Sequence, residues 1–159
     1  MKSPKLILLA VAAAALALLG AALYLQFAKN MLPCPLCVMQ RYGFLAVAVI
    51  CLVAACLPPR AAKASAGLAM LAALVGGGIA GWHIWIKAHP GVSCGIDPLE
   101  TSLNQIFTAK LMPFMFEADG LCTTDYPSIF GASIPQWSLV WFVGFALVLG
   151  WCAFRPARQ

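Results

Sequence analysis

The chain has 159 residues, 63% of them hydrophobic and 9% charged, where soluble domains average about 45–50% apolar and about 25% charged. That balance excludes an ordinary soluble globule and fits one compact bundle of membrane-spanning helices in a single domain, residues 1–159, with no independent soluble domain beside it. The net charge of +5 comes from ten Lys and Arg residues scattered around apolar runs, with no basic tract or aromatic-interleaved patch, so nucleic acid is excluded as a partner and orientation in a bilayer is the work these charges suit.

Residues 6–28 are almost wholly apolar, with Lys2 and Lys5 before them and Lys29 after. At about 1.5 Å per residue such a helix crosses a hydrocarbon core of about 30 Å. The rival reading is a signal peptide, since the start is basic and Ala21 and Ala22 are small, but the apolar region of a signal is usually only about 7–15 residues. The stretch Leu32-Pro33-Cys34-Pro35-Leu36-Cys37-Val38-Met39-Gln40-Arg41 follows and leads into a second span over residues 38–57. Pro58-Pro59-Arg60 closes that span, because proline interrupts helical hydrogen bonding, and leaves a short basic loop at 58–63.

A third span covers residues 64–86. Its Gly76-Gly77-Gly78 and Gly81 remove side chains, so that a neighbouring helix, or else a flat ligand, can approach the backbone. From residue 87 to 135 the chain is polar enough to leave the membrane, and all five acidic residues lie there. Asp97-Pro98-Leu99-Glu100 has the pattern of a helix start, with Asp as N-cap and Pro in the first turn. Leu99, Leu103, Ile106, Phe107 and Leu111 then recur at helical spacing, predicting a short amphipathic helix with one apolar face, lying in the bilayer interface or docked on the bundle. Ser133 and Gln136 form a capping-box pattern ahead of the fourth span at 136–154. Tyr126, Phe130, Trp137 and Trp141 around that start have the character of an interfacial aromatic belt.

Four spans put both termini on one side, together with Lys2, Lys5, Arg60, Lys63, Arg155 and Arg158. The excess of positive charge predicts that this side is the cytoplasm. The loops at 29–37 and 87–135 then face outward, which in a bacterial inner membrane means the periplasm, where disulfides form and persist.

The seven cysteines sort by address. Cys34 and Cys37 fall in the first outer loop and Cys94 and Cys122 in the second, while Cys51, Cys56 and Cys152 lie inside spans, where a thiol acts as a small hydrophobe. Three readings of the four outer cysteines stay open on spacing: disulfides that staple the loops, a thiolate metal site, or a redox relay of two pairs. An oxidising compartment opposes the metal site, and the 27 residues between Cys94 and Cys122 provide no second CxxC. The relay gains from Cys37 standing at the mouth of a helix, where free N–H groups favour a thiolate, and from Arg41 one turn on, adding a fixed positive charge. Taken alone, Arg41 is equally a snorkelling interfacial arginine. His83, near the outer end of span three, is a packing histidine or a donor to the carbonyl of a lipid-soluble electron acceptor; His89 has only a loop reading.

Four spans, Pro33-Cys34-Pro35-Leu36-Cys37, Gln40-Arg41 at the head of span two, and Cys94 with Cys122 in a long second loop resemble the DsbB family of bacterial inner-membrane proteins. The resemblance covers essentially the whole chain. It implies an all-α membrane protein, a four-transmembrane-helix bundle, acting as a protein-disulfide:quinone oxidoreductase that reoxidises a DsbA-like periplasmic thiol oxidase. It further implies that Cys94 takes the mixed disulfide from that partner, that Cys122 exchanges with Cys34, and that Cys37 beside Arg41 meets ubiquinone or menaquinone, with His83 as a further quinone contact and no metal. Membrane lipid, the thiol oxidase and quinone are then the partners. Two other functions remain open on the residues: a dedicated oxidase for another thiol partner, and a non-catalytic membrane protein with disulfide-stapled loops.

Overall fold

In the computed structural model the described residues are 4–89, 91 and 96–154, with the backbone alone at Pro4, Ile96, Asp97 and Pro98. Among the described residues seven helices follow in order: α1 (Pro4–Lys29), α2 (Pro35–Cys56), α3 (Pro59–Ala88), α4 (Ile96–Asn104), α5 (Phe107–Leu111), α6 (Pro113–Phe116) and α7 (Ile134–Phe154). Four of them, α1, α2, α3 and α7, are long and apolar enough to cross a membrane. There is no β-strand among the described residues, only an isolated bridge between Ile129 and Ala132. The fold is therefore the all-α membrane bundle that the hydropathy of the chain predicts.

Two boundaries depart from expectation, both at prolines. The loop expected at 58–63 is helix from Pro59 onward, with Pro58 as the capping residue. A proline in the first turn gives up an N–H that has no intrahelical partner anyway, and its fixed φ suits the helix, so Pro58-Pro59 ends α2 and starts α3 at once. The same rule moves the CxxC. Pro35 begins α2 and Cys34 caps it, so Cys37 belongs to the first turn of the helix and not to a preceding loop. On the other side of that short connection, α1 ends at Asn30 in a left-handed conformation, φ 51°, which Asn tolerates better than most residues.

The bundle is held together around α3, which packs along α2 and α7, while α1 packs on α2 and scarcely meets α7. Phe142 of α7 stacks on Phe44 of α2 with ring centroids 4.1 Å apart, and Phe145 meets Phe44 edge-on. The Phe142 ring sits where a Cβ on Gly76 would be, and a Cβ on Gly43 would come within 3.0 Å of it. The glycine run of α3 thus receives a neighbouring side chain at Gly76, whereas Gly78 and Gly81 face nothing within 4 Å.

The single amphipathic helix expected after Asp97 is three short helices, α4 to α6. The chain bends between α4 and α5, so the predicted apolar face is divided: Leu103 is buried, while Ile106, Phe107 and Leu111 are exposed. The expected cap at Asp97 and Pro98 rests on side chains outside the described residues. What docks this region on the bundle is Phe116, wholly buried and stacked on Tyr42 of α2 at 4.3 Å, with Val38, Ala109 and Ala118 packed around it. The chain then makes a tight turn, where Ile129 and Ala132 exchange backbone hydrogen bonds across Phe130 and Gly131, both at positive φ. Phe130 stands almost fully exposed at its tip. Gln136 Oε1 accepts the backbone N–H of Ser133 at 2.7 Å, the reach-back half of the predicted capping box, and α7 begins there.

Candidate functional site

The first cysteine pair is shaped by the start of α2. Cys34 is the cap residue, and its sulfur accepts the backbone N–H of Cys37 at 3.3 Å. The free N–H expected to favour Cys37 is therefore turned toward its neighbour, because the cap is the residue before Pro35. The two Sγ atoms are 2.7 Å apart, and both cysteines are free thiols. The hydrogen bond with Cys37 and burial together push the Cys34 thiol well above the usual thiol range, so Cys34 holds its proton.

His83 of α3 reaches the same spot from the opposite helix. Its Nε2 lies 3.2 Å from the carbonyl oxygen of Cys122 and 3.7 Å from Cys34 Sγ, while Nδ1 is 3.2 Å from Gln40 Nε2. A carbonyl only accepts, so Nε2 must carry the proton; Nδ1 is then an acceptor, matched by the amide N–H of Gln40. Both His83 and Gln40 are buried. Cys122 itself is buried and disulfide-bonded, and it packs with Cys34, Leu36 and Ile86 in one apolar cluster.

Backbone contacts bring the second loop to this place. The carbonyl of Pro33 accepts the N–H groups of Asp119 and Gly120, at 3.0 and 3.1 Å. Asn104 at the end of α4 pairs with both backbone groups of Ala118, donating to its carbonyl at 2.9 Å and accepting its N–H at 2.8 Å. Beyond Cys122, Lys87 at the end of α3 donates to the Thr124 carbonyl and pairs with Asp125 at 3.1 Å, and the Tyr126 hydroxyl donates to the Leu32 carbonyl.

Beside the two cysteine segments a cavity of about 370 Å³ opens between α1 and α7. Cys34, Cys37, Arg41, His83 and Cys122 line its inner end, and Leu18, Leu25, Phe44, Trp137 and Trp141 line the rest. Arg41 is buried, and its Nη1 donates to the carbonyl of Met115 at 2.9 Å. A buried guanidinium held by the loop is the opposite of a snorkelling arginine, and Arg41 also lines an apolar space of the size that small ligands occupy.

A bundle of four spans that brings Cys34, Cys37 and Cys122 together at one end invites comparison with known proteins. The family described as disulfide bond formation protein DsbB matches residues 4–152. The chain belongs to the DsbB family. It is 64% identical to disulfide bond formation protein B of Herminiimonas arsenicoxydans over 155 residues, covering 98% of each chain. Disulfide bond formation protein B of Ralstonia nicotianae is 45% identical over 95% of this chain and 94% of its own. Disulfide bond formation protein B 1 of Pseudomonas syringae pv. syringae is 43% identical over 91% and 86%.

As a DsbB-family member the chain is a multi-pass membrane protein of disulfide bond formation, and the residues that thiol chemistry would need are adjacent. Of those singled out in the sequence, Cys34, Cys37, Arg41, His83 and Cys122 surround one cavity, and Cys94 lies outside the described residues. Cys51 is buried in the bundle core, and Cys56 and Cys152 lie near the opposite ends of their helices, away from the cavity. Gln40 is the residue that sequence reasoning left without a role. Its signal was a polar side chain one turn after Cys37 in an otherwise apolar helix, but the partner that explains it is on α3. Cys34, Cys37 and His83 have donor atoms within 4.8 Å of one another, as a metal site would require. The Nε2 proton of His83 is committed to the Cys122 carbonyl, however, so no lone pair points at the thiols in this arrangement.

Proposed function

We propose that this protein reoxidises a periplasmic thiol oxidase of the DsbA type and passes the electrons to a membrane quinone, ubiquinone or menaquinone. One observation carries the reading: the disulfide-bonded Cys122 abuts the Cys34 and Cys37 thiols at the inner end of an apolar cavity that Arg41 shares. A disulfide beside a dithiol supports a relay, because exchange needs the two pairs to meet, whereas two independent staples have no need to adjoin.

In this reading the reduced partner attacks the Cys94–Cys122 disulfide at Cys94, which frees the Cys122 thiolate. That thiolate attacks Cys34, and Cys37 leaves with the electron pair of the Cys34–Cys37 bond. Arg41 and Cys37 would face the quinone head group, and the apolar walls from α1 and α7 its tail; the mixture of one buried cation and aromatic or aliphatic walls suits such a molecule. A bound quinone supplies a two-electron acceptor. The acceptor is required because a DsbA-type disulfide, at about −120 mV, is far more oxidising than ordinary structural disulfides, and each 30 mV in a two-electron couple is about 1.4 kcal/mol.

Orientation follows from charge. Lys5, Arg60 and Lys63 belong to the bundle end opposite the cysteines, which would be cytoplasmic, and the cysteine end would be periplasmic. Residues 1–159 act as one membrane domain in this scheme.

The test is direct. Protein purified in detergent and supplied with quinone should oxidise a reduced DsbA-type protein, and Cys37→Ser or Cys94→Ser should abolish that turnover. Loop disulfides that yield no thiols when reduced partner is added without quinone, in protein that also reduces no quinone when it is supplied, would identify structural staples and end the proposal.

A further inference from the structure

By its position on span three His83 reads as a packing histidine or, as the family resemblance implies, a contact for the electron acceptor. Its hydrogen bonds point elsewhere. The imidazole stands between the two cysteine segments, with Nε2 3.2 Å from the Cys122 carbonyl and 3.7 Å from Cys34 Sγ, and Gln40 occupies its other nitrogen. The one N–H is shared between the Cys122 carbonyl and Cys34 Sγ and the one acceptor nitrogen is taken by Gln40, so a neutral imidazole has no bond left over for a further partner.

We propose that His83 is the positioning residue of the exchange between the two cysteine pairs, held in a single tautomer by Gln40, and that its contribution to the quinone step is secondary. The proposal rests on the relay described above. The chemistry it serves balances with the partner's dithiol: once a partner thiolate has bonded to Cys94 and displaced Cys122, the Cys122 thiolate attacks Cys34 Sγ, the Cys34–Cys122 bond forms as the Cys34–Cys37 bond breaks, and the electron pair departs on Cys37. In the resolving steps the partner's second thiolate attacks the mixed disulfide, closing the partner's own disulfide and releasing Cys94 as a thiolate; Cys94 then attacks Cys122, the Cys94–Cys122 bond is restored, and Cys34 departs with the electron pair.

His83 acts on both steps through one N–H. By holding the carbonyl of residue 122 it fixes the backbone from which that sulfur approaches Cys34. By facing Cys34 Sγ it offers a hydrogen bond to the sulfur that leaves in the second step, inside an apolar cluster where water cannot supply one. Gln40 makes this possible without charge. Its amide donates to Nδ1 and so excludes the other tautomer, in which Nε2 would present a lone pair to a carbonyl oxygen.

The experiment separates exchange from quinone reduction. Protein carrying Cys51→Ser, Cys56→Ser and Cys152→Ser as background is mixed with a stoichiometric amount of reduced DsbA-type protein without quinone, quenched in acid, and alkylated to follow the appearance of thiols at 34 and 37. A buried hydrogen bond of this kind corresponds to roughly tenfold or more in rate. His83→Ala should slow the exchange by about that factor. His83→Gln, whose amide can still donate to the Cys122 carbonyl, should recover most of it, and Gln40→Leu should fall between, all with the KM for ubiquinone-1 within about twofold of the parent. His83→Gln and Gln40→Leu keep the question open to measurement if the alanine variant does not fold. Unchanged exchange with a raised quinone KM would overturn the proposal and return His83 to the acceptor site. Unchanged exchange with unchanged KM would overturn it as well. A parent protein that passes nothing from the second pair to the first would instead remove the relay itself, a failure visible before any variant is compared.

Discussion

The carbonyl oxygen of Pro33 accepts the backbone N–H of Gly120 at 3.1 Å, one residue from Cys34 on one side and two from Cys122 on the other. This contact, doubled by Asp119, ties the two cysteine segments together through the backbone. It also explains why residue 120 lacks a side chain, since a Cβ there would lie 2.5 Å from the Leu32 carbonyl oxygen.

Gly120→Ala should therefore loosen the clamp. The obstacle is backbone and cannot rotate aside, so a cost of about 1–3 kcal/mol is expected, which corresponds to roughly tenfold or more in the fraction of correctly docked loop. Single-turnover transfer from the second pair to the first should slow accordingly, while the yield of membrane-inserted protein stays at the parent level. Unimpaired transfer would show that the clamp does not set the approach of Cys122.

A second expectation concerns the bundle alone. Phe142 occupies the space over Gly76 and Gly43, so Gly76→Leu should destabilise the protein, and Phe142→Ala should cost about 3–5 kcal/mol through the cavity it leaves. Thermal unfolding in detergent measures both. Combining Gly76→Ala with Phe142→Leu should recover part of the loss of either, because the two changes share one space.

Arg41→Ala removes a buried cation that the Met115 carbonyl holds at the cavity. Under the proposed function the KM for quinone should rise by about tenfold or more, with exchange between the cysteine pairs much less affected. Arg41→Lys keeps the charge without the planar fork, and should fall between parent and alanine. Quinone absorbance during steady-state turnover gives the measurement, and equal KM values across the three proteins would take Arg41 out of the quinone site.

The raised proton affinity of Cys34 gives a pH signature. The folded, reduced protein keeps the Cys34 proton, while an unfolded chain releases it near pH 8.5. Below that pH both states are protonated and the group contributes no slope; above it only the unfolded state gains charge, so stability falls as pH rises. Reduced protein should thus lose thermal stability between about pH 8.5 and 10 more steeply than oxidised protein or a Cys34→Ser variant. Parallel melting curves for reduced parent and Cys34→Ser would contradict the shift.

Much of this molecule can be read without coordinates, and the reason is physical. A run of about 20 apolar residues needs no tertiary partner to declare itself a span, and the cysteine addresses follow once the spans are counted. The local pattern at Ser133 and Gln136 also survives folding, because both halves of a cap lie within one turn. Local reading failed where two outcomes share one signal. Pro58-Pro59 both ends and begins a helix, Pro35 takes the CxxC into α2, and five apolar positions at helical spacing do not reveal that the chain bends after Asn104.

What the sequence by itself determined was the class of the protein, four spans with the cysteines outside them assigned to one side, since hydropathy and charge act residue by residue. Only the tertiary structure decided how those thiols are addressed. The Pro33–Gly120 clamp, the tautomer of His83, the role of Gln40 and the seat of Arg41 on the Met115 carbonyl all join residues 39 or more positions apart. Three of the four use a backbone carbonyl, which every residue possesses and no sequence pattern advertises.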